Sequence, residues 1–398
     1  MSVRCIPLRT LPALLVCLLA ITGVAAAEST TTLALRDGAA VRPPEIEVLA
    51  SSDQGVRLAI DLQALAVDRY EINGDVYQTL AVEGGQLHGE AGSPALPAFT
   101  RFVSIPATAG TSLRIAAVEE ETFTGFQLLP MQDDDAATFM RDESAYRRNE
   151  FLGGDAVTIG APALLRDQRI VAVTFHPVRF NPATGEVRVV RRVELAIDFT
   201  GVDLRAAKER AILPLTSGFD RLYRSMIVNY DPETYRQSGQ IASHLGTWVL
   251  ISRDISSVTQ RLQPLIEWRR RMGYNVVHVT TTTTGTDPNS IRSWLQNAYN
   301  TWDDPPEYIC IVGDATGSFA IGTFHENWSG GYYGEGDHPY SQLTGDDLTP
   351  DAFIGRLSAE DTTVLERIVN KITKYEQTPY MTQTDWFGRA CLGGTSAV

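Results

Sequence analysis

Between Gly336 and Arg356 the chain reads GDHPYSQLTGDDLTPDAFIGR, with Asp337, Asp346, Asp347 and Asp351 inside fifteen residues. Three kinds of chemistry suit such a cluster. Neighbouring carboxylates repel unless a cation gathers them, and calcium takes carboxylate and backbone oxygens, so a calcium loop is one reading. A solvated turn held by aspartate–backbone hydrogen bonds is a second, and direct acid catalysis is a third. The spacing is not that of an EF-hand loop. Gly345, beside the Asp346–Asp347 pair, suits a sharp turn.

Other chemically capable residues are sparse. His338 adjoins Asp337, and His325 lies thirteen residues earlier beside Glu326, but neither pair has the spacing of a helical zinc motif and no cysteine is close. His176 precedes Pro177 in a strand-like run with no second ligand near it in sequence, which reads as a strand residue. A thiol nucleophile needs an activating histidine. Cys310 in YICIV and Cys391 in RACLGG sit in apolar, strand-like contexts, so both read as buried free thiols. His244 and His278 offer no better partner, and no dyad assembles from these residues.

The elements that would carry these groups alternate strand and helix after Gly246. TWVLIS, YNVVHV, EYICIVGD and DAFIGR read as strands. Between them, Val258, Leu262, Leu265 and Ile266 share a helical face that Pro264 threatens to kink. Asp287 before Pro288 opens a second helix. Ser358 with Asp361 resembles a capping box ahead of a stripe at Leu365, Ile368, Val369, Ile372 and Tyr375. Such alternation gives a mostly parallel sheet covered by helices, and RACLGG reads as one more strand. Ligands gather beyond the carboxyl ends of such strands, which is where Asp314 falls.

Residues 28–200 follow another grammar, of short alternating runs broken by Gly, Pro and Asn, and read as a β-rich domain. In VTFHPVRFNPATGEVRVVRRVEL, Asn181, Pro182 and Gly185 bracket a hairpin reversal. Residues 201–246 are polar and weakly periodic. They read as a linker whose Arg205, Lys208, Arg210, Arg224 and Arg236 are candidate cleavage sites.

A chain of 398 residues with 43% apolar and 21% charged residues has material for two cores. Its formal charge of −14 argues against nucleic acid as a partner. Residues 1–27 combine Arg4 and Arg9, a short apolar run and AAA before Glu28, the pattern of a cleaved export signal. No later segment reads as a membrane span.

Taken in this order, the segments resemble a gingipain-type cysteine peptidase precursor. GSPALPAFTRFVSIPATA and VTFHPVRFNPATGEVRVVRRVELAIDF carry the likeness to the propeptide. WVLISRD, LIEWRRRMGYNVVHV, YICIVGD, GDHPYSQLTGDDLTPDAFIGRLSAED and IVNKITKYEQTP carry the likeness to the caspase-like catalytic domain. The resemblance implies an α+β chain: a β-rich propeptide domain followed by an incomplete caspase-like α/β domain with a mostly parallel sheet, spanning residues 247–398. It also implies an exported zymogen acting on protein or peptide substrates, inhibited by intramolecular contact with its propeptide. Structural calcium is implied near Asp314, Asp346 and Asp347, with Asp337 a lesser member. The family's catalytic Gly-His-Gly and strand-end cysteine do not occur before Val398, so no catalytic residue carries over. The chain is therefore expected to be a fragment of a longer precursor without peptidase activity. A non-catalytic secreted or surface interaction protein with a degenerate peptidase-like domain is the alternative.

Overall fold

In the computed structural model, residues 4–7, 29–133, 138–202, 212–327, 333–344 and 347–392 are described. The chain divides into two compact units. One comprises Met1–Ala161, Val171–Ala207 and Asp385–Val398; the other comprises Pro162–Ile170 and Lys208–Thr384.

The first unit is built from antiparallel strands. Its longest, Glu186–Val202, pairs on one side with Gly55–Asp61 and on the other with Ala109–Phe123, and forms a hairpin with Val178–Asn181. The hairpin turns where the sequence placed it, with Asn181 opposite Glu186 and Gly185 at φ +65°. Val187, Val189, Val193, Leu195 and Ile197 are buried along the long strand. Its arginines find carboxylates on the neighbouring strand: Arg191 pairs with Glu119, and Arg179 of the hairpin reaches Glu120 at 2.5 Å. A second sheet runs in the order Val157–Ile159, Gln168–Phe175, Leu96–Ser104, Gln86–His88. A third joins Ser29–Ala34, Ala64–Ile72 and Asp75–Ala81.

The second unit is an α/β layer whose four strands are all parallel, in the order Asn275–Thr280, Thr247–Ser252, Pro306–Val312, Phe353–Leu357. Strands buried on both faces must read as continuous apolar runs, and TWVLIS and YICIV do. The helices Ser256–Met272 and Thr362–Gln377 supply Val258, Leu262, Leu265, Ile266, Leu365 and Val369 to one buried cluster with Leu250 and Cys310. Each such side chain contributes about 1.5–3 kcal/mol by leaving water. The helix Pro288–Thr301 adds Ile291, Leu295 and Tyr299 to a second cluster with Val249, Ile251 and Ile311.

Helix ends follow the sequence closely, with one exception. Asp287 accepts from the Ser290 amide at 3.0 Å, as its place before Pro288 predicted. Pro264 lies inside a continuous helix that ends at Gly273, in the left-handed conformation with φ +101°. The exception is the last helix, where Asp361 itself is the cap, accepting from Thr363 and Val364; Ser358 lies outside it.

Two further expectations differ from the structure. Residues 212–246, read as a linker, carry the helices Ser217–Met226 and Glu233–Gln237, with Leu215, Phe219, Tyr223 and Tyr235 buried in the second unit. Their aromatic rings outweigh the polar composition. Arg205, Lys208 and Arg210 lie outside the described residues, whereas Arg224 and Arg236 sit on these helices, ion-paired to Asp220 and Glu233. The strand Arg389–Leu392 does not extend the parallel sheet; it pairs antiparallel with Arg4–Pro7.

Candidate active-site region

Beyond the carboxyl end of Pro306–Val312, one guanidinium organises the connection that leads to Phe353–Leu357. Arg356, in the strand Phe353–Leu357, donates its Nε–H to Asp337 Oδ2 and its Nη2 to Asp337 Oδ1, both at 2.7 Å. The remaining N–H groups reach the carbonyls of Gly313 at 2.9 Å, Ile321 at 2.8 Å and Gly322 at 3.1 Å. Arg356 thereby engages all five of its donors. The side chains are 12% and 19% exposed, so the pair is mostly removed from water. Asp337 also accepts from the Thr323 hydroxyl at 2.9 Å. Gly313 is required where the chain leaves its strand: its φ is +126°, and a Cβ there would stand 2.5 Å from the Phe319 carbonyl oxygen.

The other aspartates are also engaged with the protein. Asp314 follows Gly313 at the strand end, as predicted, and its Oδ1 accepts the Ala315 amide at 2.7 Å. Asp347 accepts from Thr349 at 2.8 Å and from Leu164 at 2.9 Å. Asp351 is fully buried and caps the Leu343 and Thr344 amides at 2.8 and 2.7 Å. Asp346 lies outside the described residues. Among the described residues no three His, Cys, Asp or Glu side chains gather in a metal-holding group. Asp337, committed to Arg356, is an ion-pair partner in this geometry. His338 places Nε2 2.8 Å from the Leu348 carbonyl, within the same loop.

No thiolate–imidazole pair forms among the described residues. Cys310 is buried in mid-strand, and burial pushes its thiol up to about 12, so it stays protonated at neutral pH. The Cys391 side chain lies outside the described residues. Ser252 does meet His278, Oγ to Nε2 at 2.9 Å, but Ser252 is 0% exposed, so no substrate reaches its oxygen. Burial and then Arg270 hold the His278 pKa below its ordinary value.

At the opposite ends of the strands, the hairpin around Arg166 enters the same unit. Ala163–Leu165 folds back on Gln168–Ile170, and Arg166 at the turn adopts φ +58°. Its guanidinium stands 4.5 Å from the Phe219 ring centroid and 3.4 Å from the carbonyls of Pro306 and Asp351. Asp167 accepts from the Tyr223 hydroxyl at 2.7 Å, the Tyr235 hydroxyl at 3.0 Å and the Leu213 amide at 3.1 Å. Burial raises its pKa against the opposing pull of these donors. Sequence reasoning passed over this cluster; its signal was Phe219, Tyr223 and Tyr235 recurring inside a segment otherwise polar.

The comparisons with known proteins match both units. The model of peptidase family C25 matches residues 246–397, and that of the C25 propeptide matches residues 37–237. Lys-gingipain of Porphyromonas gingivalis is 23% identical over 329 residues, which cover 78% of this chain and 18% of the relative. Gingipain R1 of the same organism is 22% identical over 379 residues, covering 89% of this chain and 36% of the relative. The chain thus spans a minor part of the length of either. Among solved structures, the complex of the RgpB pro- and mature domains from P. gingivalis matches 48% of this chain and 99% of that chain, at 22% identity and a TM-score of 0.41. A structure of gingipain K describing its zymogenic latency matches 44% of this chain and 100% of that chain, at 22% identity and a TM-score of 0.39.

Proposed function

Because this chain belongs to peptidase family C25 and carries the family's propeptide and peptidase sequences in that order, we propose that it is the precursor of an exported cysteine endopeptidase, held latent by its own propeptide. One observation carries the reading. The segments Pro162–Ile170 and 212–237, matched by the propeptide model, fold into the same compact unit as the peptidase-matched parallel sheet. The propeptide therefore supplies part of that unit's structure, through Arg166, Asp167, Tyr223 and Tyr235.

In the mature enzyme a cysteine thiolate activated by histidine would attack the peptide carbonyl, form an acyl-enzyme and release it to water. Cys310 does not take the nucleophile's part, because it is buried and its thiol stays protonated. The role of the described C-terminal loops is to fix the sheet end through Arg356. Export rests on the basic and apolar pattern of residues 1–27, of which residues 1–3 and 8–27 lie outside the described structure. No helix among the described residues is long and apolar enough to cross a membrane.

Purified chain incubated with an unstructured protein substrate should show no turnover sensitive to thiol-blocking reagents. Turnover abolished by Cys310→Ala or Cys391→Ala would overturn the assignment of these residues. Calcium is carried as a proposal resting on the family resemblance, with Asp314, Asp346 and Asp347 as the carboxylates to test. A calcium-dependent rise in Tm that Asp347→Asn removes would support it, and melting unchanged by calcium or chelator would remove it.

A further inference from the structure

We propose that Glu307 is a protonation-dependent latch: in its neutral form it holds the helix Ser217–Met226 on the parallel sheet, and once ionised it lets that helix go. Glu307 is the second residue of the strand Pro306–Val312 and is 0% exposed. Its Oε1 accepts from the hydroxyl of Thr216, the residue that caps the helix, at 2.7 Å. The contact joins a segment matched by the propeptide model to a strand matched by the peptidase model.

The carboxyl is walled in on both sides. A Cβ on Gly218 would stand 2.7 Å from Oε1, and one on Gly246 would stand 2.8 Å from Oε2, approaches that only glycine avoids. Oε2 is buried and has no hydrogen-bond partner. An ionised carboxylate needs donors on both oxygens, so this place suits the neutral acid.

The charges around it do not supply the missing donor. Arg166, 3% exposed, faces the carboxyl from its hairpin, but its hydrogen bonds go to the carbonyls of Pro306 and Asp351. Its charge also acts on Asp167, which holds the same helix through the Tyr223 hydroxyl. One guanidinium cannot neutralise two enclosed carboxylates. His244 faces Glu307 from the preceding segment, yet its Nδ1 accepts the Gly246 amide at 3.0 Å and its Nε2 lies 3.1 Å from Asp304 Oδ1. Burial outweighs the pull of Arg166, Thr216, Tyr308 and His244, and raises the Glu307 pKa. The contribution of the latch is fully present below the unfolded value of about 4.3 and is lost as pH rises through the folded one. Resting on the zymogen reading above, the consequence is that rising pH loosens a propeptide segment before any peptide bond is cut.

Hydrogen exchange of the full chain from about pH 4.5 to about pH 8.5, corrected for intrinsic rates, tests the latch. It needs no peptidase activity, so its outcome stands apart from the zymogen reading. Asp167→Asn serves as the background, because it removes the other titrating carboxyl that holds this helix. Protection of Ser217–Met226, relative to the helix Pro288–Thr301 of the same unit, should fall about tenfold per pH unit between the unfolded and folded values and then level off. Adding Glu307→Gln, which stays neutral, should make that protection independent of pH. Protection that does not vary with pH in the background, or that falls equally with Glu307→Gln added, would overturn the proposal. Should either variant fail to fold, the wild type labelled with 13C at the glutamate carboxyls decides. The Glu307 signal must titrate well above the ordinary glutamate range and together with the loss of protection; an ordinary titration contradicts the latch.

Discussion

Arg356 grips Asp337 through two hydrogen bonds of 2.7 Å and spends its remaining donors on three backbone carbonyls, fastening the connection between Pro306–Val312 and Phe353–Leu357 to one side chain. A carboxylate offered by the sequence as a cation ligand has a cation already, and it is a residue of this chain. Removing either partner leaves the other charge in a site largely closed to water.

Arg356→Ala should therefore destabilise the second unit by about 3–5 kcal/mol, measured by denaturant unfolding. Arg356→Lys should recover only part of that, because an ammonium cannot reproduce the planar five-donor fork. A double-mutant cycle with Asp337→Asn should show strong coupling. Additive effects would mean that the two side chains are independent.

The Asp167 cluster predicts graded losses. Tyr223→Phe and Tyr235→Phe should each cost about 0.5–1.5 kcal/mol, the range for a typical intramolecular hydrogen bond. The pH dependence has a definite sign. The folded-state pKa of Asp167 is raised, so its contribution is fully present below the unfolded value of about 3.9 and is lost as pH rises through the folded value. Asp167→Asn, which does not titrate, should accordingly cost more stability at pH 4 than at pH 8. A difference independent of pH would mean that the carboxyl is not shifted.

Cys310 should resist alkylation in the native chain at pH 8 and react once the chain is unfolded. Its burial and a thiol pushed up to about 12 both remove the reactive thiolate. Peptide mapping after brief iodoacetamide treatment reads this directly. Rapid native labelling at Cys310 would place its sulfur at an accessible site.

The sequence was most legible where one local rule governs. Continuous apolar runs marked the parallel strands, Asp287 with Pro288 marked a helix start, and Asn181 to Gly185 marked a hairpin, because each depends on neighbours along the chain. The polar site was legible only as a list of groups. Asp337 and Arg356 stand nineteen residues apart, and their meeting depends on the loop path between them. His176 had no partner in sequence, yet His88 reaches it across an intervening strand. Tyr223 and Tyr235 were hidden by the polar residues around them, although an aromatic pair on short helices is itself a sign of a buried face.

Limited proteolysis of the native chain, with N-terminal sequencing and size-exclusion chromatography of the products, tests the central claim that propeptide segments complete the peptidase-like unit. Of the five basic candidates read from the sequence, the first cut is expected after Arg205, Lys208 or Arg210, while Arg224 and Arg236 on their helices stay intact. The nicked pieces should then co-elute until Asp167→Ala or denaturant releases them. A first cut inside Pro306–Val312, or pieces that separate as soon as the chain is nicked, would contradict the account.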